Sequence, residues 1–371
     1  MRLLQIGKYY YPFLGGTEQV TRDIAEAVSC EQKVFCFNSG RKTVVDKVGG
    51  VEVVRIGSCL KVASQSISSG YYGQLRKVFS EFKPDLVILH YPNPFAVHYL
   101  LKILKRYPNV KLVVYWHLDI VKQKFLRLFF RGQNKRLLER ADKIIAATPN
   151  HISGSDSISK YKEKCKVLPY TVKVPLNRTV SERATKIREE NKDCIVCFAI
   201  GRHVPYKGME YLVKASKFLP ENYKIFIAGD GPLTKSLKKM AAGDGKVVFL
   251  GKISEEDKTA YYQACDIFCF PSITKNEAFG IAMGEAMAYG KPVVCFHIEG
   301  SGVNYVALKD VTGLEVENGN PEKFAEAIMY LGKNPDIAEK FGKAGVERIE
   351  TCFTFEKFKE NINSLIKEYN A

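Results

Sequence analysis

Short apolar and β-branched runs punctuate the first half of the chain: Leu3–Ile6, Lys33–Phe37, Val51–Arg55, Leu86–Leu89, Leu112–Tyr115 and Lys143–Ala147. Between several of them stand longer stretches with apolar residues at helical spacing, such as Thr17–Ser29 and Tyr71–Phe82. Runs of the first kind read as strands and stretches of the second as helices. Their alternation predicts a doubly wound α/β sheet. Ligands of such sheets bind beyond the carboxyl ends of the strands, where the loops discussed below fall.

A second series follows: Ile195–Ile200, Lys224–Ile227, Val247–Leu250, Ile267–Phe270 and Pro292–Phe296. Between the two series lies Leu168-Pro169-Tyr170-Thr171-Val172-Lys173-Val174-Pro175, bracketed by prolines and followed by a polar, charged stretch. We therefore expect an N-terminal domain over residues 1–172 and a C-terminal domain over residues 173–354, each Rossmann-like. Asn320-Pro321 reads as an N-cap with proline at the first helical position. Phe324, Ala327, Ile328 and Leu331 then recur at helical spacing, and Phe355–Tyr369 shows a similar period.

Length supports this division, since 371 residues exceed what one hydrophobic core usually serves. Ten cysteines are scattered through mostly apolar runs, and Cys194-Ile195-Val196-Cys197 has no second pair at zinc spacing, so buried reduced thiols are expected. Met1–Gly7 is too short an apolar run for a secretory signal, and no run reaches the length of a membrane span. The formal charge is +16, and much of it is local. From Lys102 to Lys143, twelve Lys/Arg stand against three Asp/Glu. Nucleic acid and an anionic membrane surface are the partner classes such a patch serves, and a solvated basic surface without a partner is the third reading.

The chemistry concentrates in a few loops. In Asn276-Glu277-Ala278-Phe279-Gly280-Ile281-Ala282-Met283-Gly284-Glu285 two carboxylates stand eight positions apart. With a helix starting near Phe279, Glu277 faces its N-terminus, Glu285 lies within it, and the open N–H groups between them suit a phosphate. Arg202 and Lys207 follow a strand and flank a Pro-Tyr turn, placing two positive charges where a pyrophosphate would depart. Gly229-Asp230-Gly231-Pro232 and Gly15-Gly16-Thr17-Glu18 are glycine turns after strands. His117 and Asp119 follow the strand ending at Tyr115, without a third metal ligand at useful spacing. Downstream, Lys124, Arg127, Arg131 and Lys135 recur every three or four residues, with Leu126, Phe129 and Phe130 projecting elsewhere. That is the pattern of a helix lying at a membrane surface, or equally of one packed on a core with its other face in water. His90-Tyr91-Pro92-Asn93-Pro94-Phe95 is either a sugar platform or a rigid turn.

Taken in order, these pieces resemble the family 4 retaining glycosyltransferases over nearly the whole chain, and in feel the bacterial mannosyltransferases of O-antigen assembly. The resemblance implies the GT-B fold, with the site in the cleft between two Rossmann-like domains and the last helix crossing back to the first. It implies a nucleotide-sugar donor held by Arg202, Lys207, Glu277, Glu285, Gly15, Gly16, Gly229, Gly231, Phe279 and Gly280. Of these, Arg202 and Lys207 would hold the leaving diphosphate, Glu277 and His117 the transferred sugar, and Glu285 the ribose. His90, Asn93, Asp119, Lys124, Arg127 and Arg131 would belong to the acceptor and membrane side. The implied acceptor is a polyprenyl-diphosphate-linked glycan at the inner face of the plasma membrane, with no metal or other cofactor required. GDP-mannose is favoured over a UDP-sugar as donor.

The chain departs from the family where Tyr170-Thr171-Val172-Lys173 replaces the usual Asn or Tyr, Gly and acidic residue, which leaves a role for that loop in doubt. Tyr206 stands where Glu is frequent. Two other classes remain as alternatives. A nucleic-acid binder lacks any helix-turn-helix, RNA-recognition or zinc pattern, and a nicotinamide dehydrogenase lacks G-x-G-x-x-G after its first strand. Alanine at Glu277 or Lys207 is expected to abolish transfer and spare the fold.

Overall fold

The computed structural model describes residues 1–13, 15–62, 65–119, 124–175 and 179–369, with backbone alone for 61–62 and 124–129. The chain divides into two units, Met1–Thr171 with Phe355–Ala371, and Val172–Thr354.

In the first unit the apolar runs become β1 (Arg2–Ile6), β2 (Glu31–Phe37), β3 (Val44–Val48) and β4 (Val51–Ile56). A hairpin of β5 (Leu60–Val62) and β6 (Gln65–Ile67) follows, then β7 (Leu86–Tyr91), β8 (Lys111–Trp116), β9 (Lys143–Ala146) and β10 (Cys165–Val167). Eight of these form one sheet in the order β10-β9-β8-β7-β1-β2-β4-β3. Among the described pairings of that sheet, β3–β4 is antiparallel and the others are parallel. The crossovers use α1 (Gly16–Ala27), α2 (Tyr71–Phe82), α3 (Pro94–Leu104), α4 (Lys124–Arg140) and α5 (Pro149–Gly154).

Side chains alternate across the sheet. Leu4, Ile6, Val87, Leu89, Leu112, Val114 and Trp116 join one core with the buried faces of α2 and α3. The opposite face carries Gln5, His90 and Tyr115, all buried. Those polar residues lie at or next to the carboxyl ends of β1, β7 and β8.

The second unit repeats the plan with α6 (Glu182–Glu190) and β11 (Ile195–Ile200), then α7 (Met209–Ala215) and β12 (Tyr223–Ala228). Next come α8 (Thr234–Met240), β13 (Val247–Gly251), α9 (Glu255–Ala264) and β14 (Ile267–Phe270). Then follow α10 (Ile281–Ala288), β15 (Val293–Phe296), α11 (Val303–Val306), β16 (Gly313–Val316), α12 (Pro321–Lys333) and α13 (Pro335–Cys352). The sheet order is β13-β12-β11-β14-β15-β16, and every described pairing is parallel. Asn320 caps α12 as its sequence implies, its side chain accepting from Lys323 N. The final helix, α14 (Phe355–Lys367), belongs to the first unit. There Asn363 donates to the Ala27 carbonyl at the end of α1, 2.9 Å away.

All ten cysteines are free, but only Cys36, Cys197, Cys265, Cys269 and Cys295 are buried. Cys59 is exposed, contrary to the expectation of buried thiols, because it sits at the start of the surface hairpin. Among the described residues no helix is long and apolar enough to cross a membrane.

Candidate active site

In the second unit the loop after β11 makes a single tight turn at Pro205–Lys207, closed by Gly208 in the left-handed region (φ +61°). A side chain at Gly208 would overlap the Pro271 carbonyl, so the loop is pressed against the end of β14. Lys207 thereby meets Glu277, with which it forms a short, largely buried ion pair. Ser272 Oγ also donates to Glu277 Oε2 at 3.1 Å, and Ser301 Oγ donates to the Glu277 carbonyl at 2.6 Å. The ammonium lies 5.6 Å and 5.3 Å from the ring centres of Tyr206 and Phe270. Burial pulls the Lys207 pKa down, but the Glu277 and Tyr206 charges outweigh it and the net shift is upward. Arg202 is exposed, and its guanidinium holds no ion pair or hydrogen bond among the described residues. One cation is therefore fixed and one is free to meet a ligand.

The helix expected from Phe279 starts at Ile281, since Gly280 adopts a left-handed conformation (φ +86°) and no side chain caps the end. The Phe279 side chain is not at a ligand surface. It is buried edge-on against Phe353, 5.2 Å between centres, so any donor contact there falls to its backbone. Glu285 lies within α10 as expected, but its carboxylate is engaged by two residues that sequence reasoning missed. Lys258 Nζ is 3.1 Å from Oε1, and Tyr262 donates to Oε2 at 3.0 Å. Both come from α9, one turn apart.

Gly229 and Gly231 are glycines of necessity. A Cβ at Gly229 (φ +112°) would overlap the Gly201 carbonyl, and one at Gly231 would overlap the His203 carbonyl. The two loops thus pack backbone to backbone beside Arg202. At Gly15, the extended N-cap of α1, the Glu18 carboxylate folds back over the position a Cβ would fill. Burial raises the Glu18 pKa, partly opposed by its own backbone N–H and by Lys8. An anion approaching Gly15 and Gly16 meets this carboxylate.

In the first unit His117 follows β8 with both ring nitrogens occupied. Nε2 is 2.9 Å from His90 Nδ1, and Nδ1 is 2.6 Å from the Tyr170 hydroxyl. His90 is thus a partner of His117, buried beneath it, rather than part of an open acceptor surface. Asn93 is also turned inward. Its side chain caps α3 by accepting from Ala96 N (3.3 Å) and donates to the Gly7 carbonyl (3.2 Å). The stretch His90–Phe95 is therefore a strand end and a helix start, because Asn93-Pro94 has the N-cap and N1 chemistry. Asp119 Oδ1 accepts from Trp116 Nε1 (3.0 Å) and Ser155 Oγ (2.9 Å), which orients the segment after His117.

The 170–171 loop, doubtful in sequence, is tied down by Tyr170 on His117 and by Thr171 Oγ donating to Asp23 Oδ2 at 2.5 Å. No local motif marks those partners; their separations of 53 and 148 residues put them beyond any window. Arg131 is exposed on α4, while Leu137 and Leu138 of that helix are in the core. The side chains of Lys124, Leu126, Arg127 and Phe129 lie outside the described residues, as do residues 120–123. Among the described residues no group of three His, Cys, Asp or Glu is placed to hold a metal ion.

Two family models cover the chain. Residues 14–167 match Glycosyltransferase Family 4, and residues 180–348 match Glycosyl transferases group 1. The chain belongs to the family 4 glycosyltransferases. It is similar to the D-rhamnosyltransferase WbpZ of Pseudomonas aeruginosa, with 33% identity over 95% of this chain and 92% of the relative. It is also similar to the O-antigen chain mannosyltransferase C of Escherichia coli, 30% identical over 95% of both chains. The structure of Anabaena HepE with UDP superposes with a TM-score of 0.80 at 19% identity, covering 99% of this chain and 100% of that one. The fold is GT-B, and the enzyme is a glycosyltransferase, which removes the nucleic-acid-binding and dehydrogenase alternatives.

Proposed function

We propose that this enzyme transfers mannose from GDP-mannose to a polyprenyl-diphosphate-linked glycan in bacterial surface polysaccharide assembly, with retention of configuration. The observation that carries the reading is end-to-end similarity to two transferases of closely related sugars. D-rhamnose is mannose without one hydroxyl oxygen, so GDP-D-rhamnose is the second reading for the donor. A UDP-sugar ranks third.

In this reading Arg202 and Lys207 stabilise the departing diphosphate. Positive charge already in place where negative charge develops costs no reorganisation during reaction. Glu277 is held by Lys207 and Ser272. Among the described residues that bond set leaves Oε1 open to a sugar hydroxyl, and His117 keeps the role that the family resemblance gives it, a contact to the transferred sugar. Glu285, steadied by Lys258 and Tyr262, addresses the ribose. Retention follows from a front-face route in which the leaving phosphate takes the acceptor proton, so no protein nucleophile is needed. The two cations supply the charge that a metal would otherwise bring. The local excess of basic residues over 102–143 supports work at the anionic inner leaflet.

The test is nucleotide release from GDP-mannose, GDP-D-rhamnose, UDP-glucose, UDP-galactose and their N-acetyl forms, with a polyprenyl-linked acceptor extract. Selective turnover of GDP-mannose, with the anomeric configuration of the product kept by NMR, is expected. Turnover of a UDP-sugar alone would overturn the donor assignment.

A further inference from the structure

The polar face of the first sheet holds a hydrogen-bond chain. Gln5 Oε1 is 3.1 Å from His90 Nε2, His90 Nδ1 is 2.9 Å from His117 Nε2, and His117 Nδ1 is 2.6 Å from the Tyr170 hydroxyl. The His90 and His117 rings are nearly parallel, at 5°, and Tyr115 stacks on His117 at 4.4 Å between centres. Tyr115 also donates its hydroxyl to the Leu168 carbonyl at 2.6 Å, which fixes the backbone two residues before Tyr170.

With the Gln5 amide placed Oε1 toward His90, one set of roles runs through the chain. A carbonyl oxygen only accepts, so His90 Nε2 carries a proton. A neutral imidazole has one N–H, so His90 Nδ1 accepts, and the proton it accepts is on His117 Nε2. His117 Nδ1 is then an acceptor, and Tyr170 donates to it. We infer that Gln5, His90 and Tyr170 are positioning residues that hold His117 in its Nε2–H form, with the Nδ1 lone pair directed at Tyr170. No carboxylate hydrogen-bonds to either ring among the described residues. Burial also pushes both imidazoles well below their ordinary range, which keeps them uncharged.

Exposure rises along the chain, from 0% at Gln5 through 1% at His90 and 3% at His117 to 6% at Tyr170. The outer bond is the one nearest solvent. A group replacing Tyr170 at Nδ1 has to donate a proton, so His117 selects a sugar hydroxyl and does not itself serve as a proton donor there. This consequence rests on the reading of His117 as a contact to the transferred sugar; the tautomer does not.

Long-range ¹⁵N–¹H correlation on the full-length labelled protein, without donor, reads both rings directly. Leucine variants at His90 and His117 assign the signals. Both rings are expected to show protonated Nε2 and pyridine-type Nδ1, unchanged between about pH 5.5 and 8. An Nδ1–H form of His117, a mixture, or titration in that range would overturn the inference. His90→Asn retains a carbonyl acceptor and is expected to keep the single tautomer, with kcat within about twofold. His90→Leu is expected to mix the tautomers and lower kcat about tenfold, with KM for the donor little changed. Equal loss in both variants with the ring pattern intact would remove the positioning role. Failure of GDP-mannose turnover in wild type would defeat the proposed donor and leave the ring spectra to decide the tautomer.

Discussion

Substitution at the Lys207–Glu277 pair tests whether this site is built as a unit. The two side chains retain 17% and 12% of their exposure, so both charges are mostly out of water. Breaking a buried pair by removing one partner costs about 3–5 kcal/mol, because the survivor is left charged and dehydrated. The residual exposure here places each single change near the lower end, about 3 kcal/mol. Among the described residues, Glu277 in Lys207→Met keeps only the Ser272 hydroxyl as a side-chain donor, and in Glu277→Gln the ammonium keeps an amide oxygen and two aromatic faces but no counter-charge.

The double change Lys207→Met with Glu277→Gln leaves no unpaired charge, and its cost falls short of the summed single costs by about 2 kcal/mol. Urea titration of the four proteins, following the transition of Val172–Thr354, measures this. Single variants within about 0.5 kcal/mol of wild type, or additive effects, would refute the argument. Alanine at either position is then expected to lower stability as well as abolish transfer. Activity loss in these variants has to be read beside their stability.

Five further outcomes can be measured. His90 is lowered from about 6.5 to about 3 by burial, so it stays neutral when folded but gains a proton when unfolded below pH 6.5. Stability should fall on acidification, with about 2 kcal/mol lost between pH 7 and 5 from this residue; an equal pH slope in His90→Leu would contradict it. Gly229→Ala, which overlaps the Gly201 carbonyl, should cost about 3 kcal/mol or more in urea titration. Gly243→Ala has positive φ but open space around it and should cost only about 1–2 kcal/mol. Asn93→Ala removes a helix cap and a donor to a buried carbonyl, and should lower stability by about 2 kcal/mol by the same assay. Changing Lys124, Arg127 and Arg131 together to Gln should weaken binding to anionic liposomes in a salt-dependent manner; unchanged binding would remove the membrane assignment.

Much of the fold was legible because its signals are local. Ile195–Ile200, Ile267–Phe270 and Tyr71–Phe82 have the same limits in pattern and in structure, since each is a clean run with clear ends. The edge strand Val44–Val48 was not anticipated, because an edge needs no second apolar face and Val44 and Val45 are exposed. The helix from Pro94 was hidden by prolines that suggested a rigid turn, although Asn93-Pro94 carried its start signal. At the site, the chemistry-bearing residues stood out as motifs while their supports did not. Lys258, Tyr262 and Gln5 belong to ordinary-looking segments, and Tyr170 stood in a loop whose role was in doubt; only tertiary pairing gives them meaning. Glu18 is the opposite case: it was in plain view beside Gly15 and Gly16, yet its turn back over the glycine depends on side-chain rotamer.

The placement of α14 bears on how the protein is made. During synthesis the residues of the first unit emerge first, yet its outer helix comes from the final stretch of the chain. Until then α1 lacks the apolar face of Phe358, Ile362, Leu365 and Ile366, and the Ala27 carbonyl lacks Asn363. Glu368 is likewise missing from its ion pairs with Lys143 and Lys166. The first half of the enzyme to leave the ribosome is therefore the last to be completed. A nascent chain stalled anywhere before Phe355 leaves an apolar seam on the first unit open to chaperones, so that unit is completed only after the second has been translated.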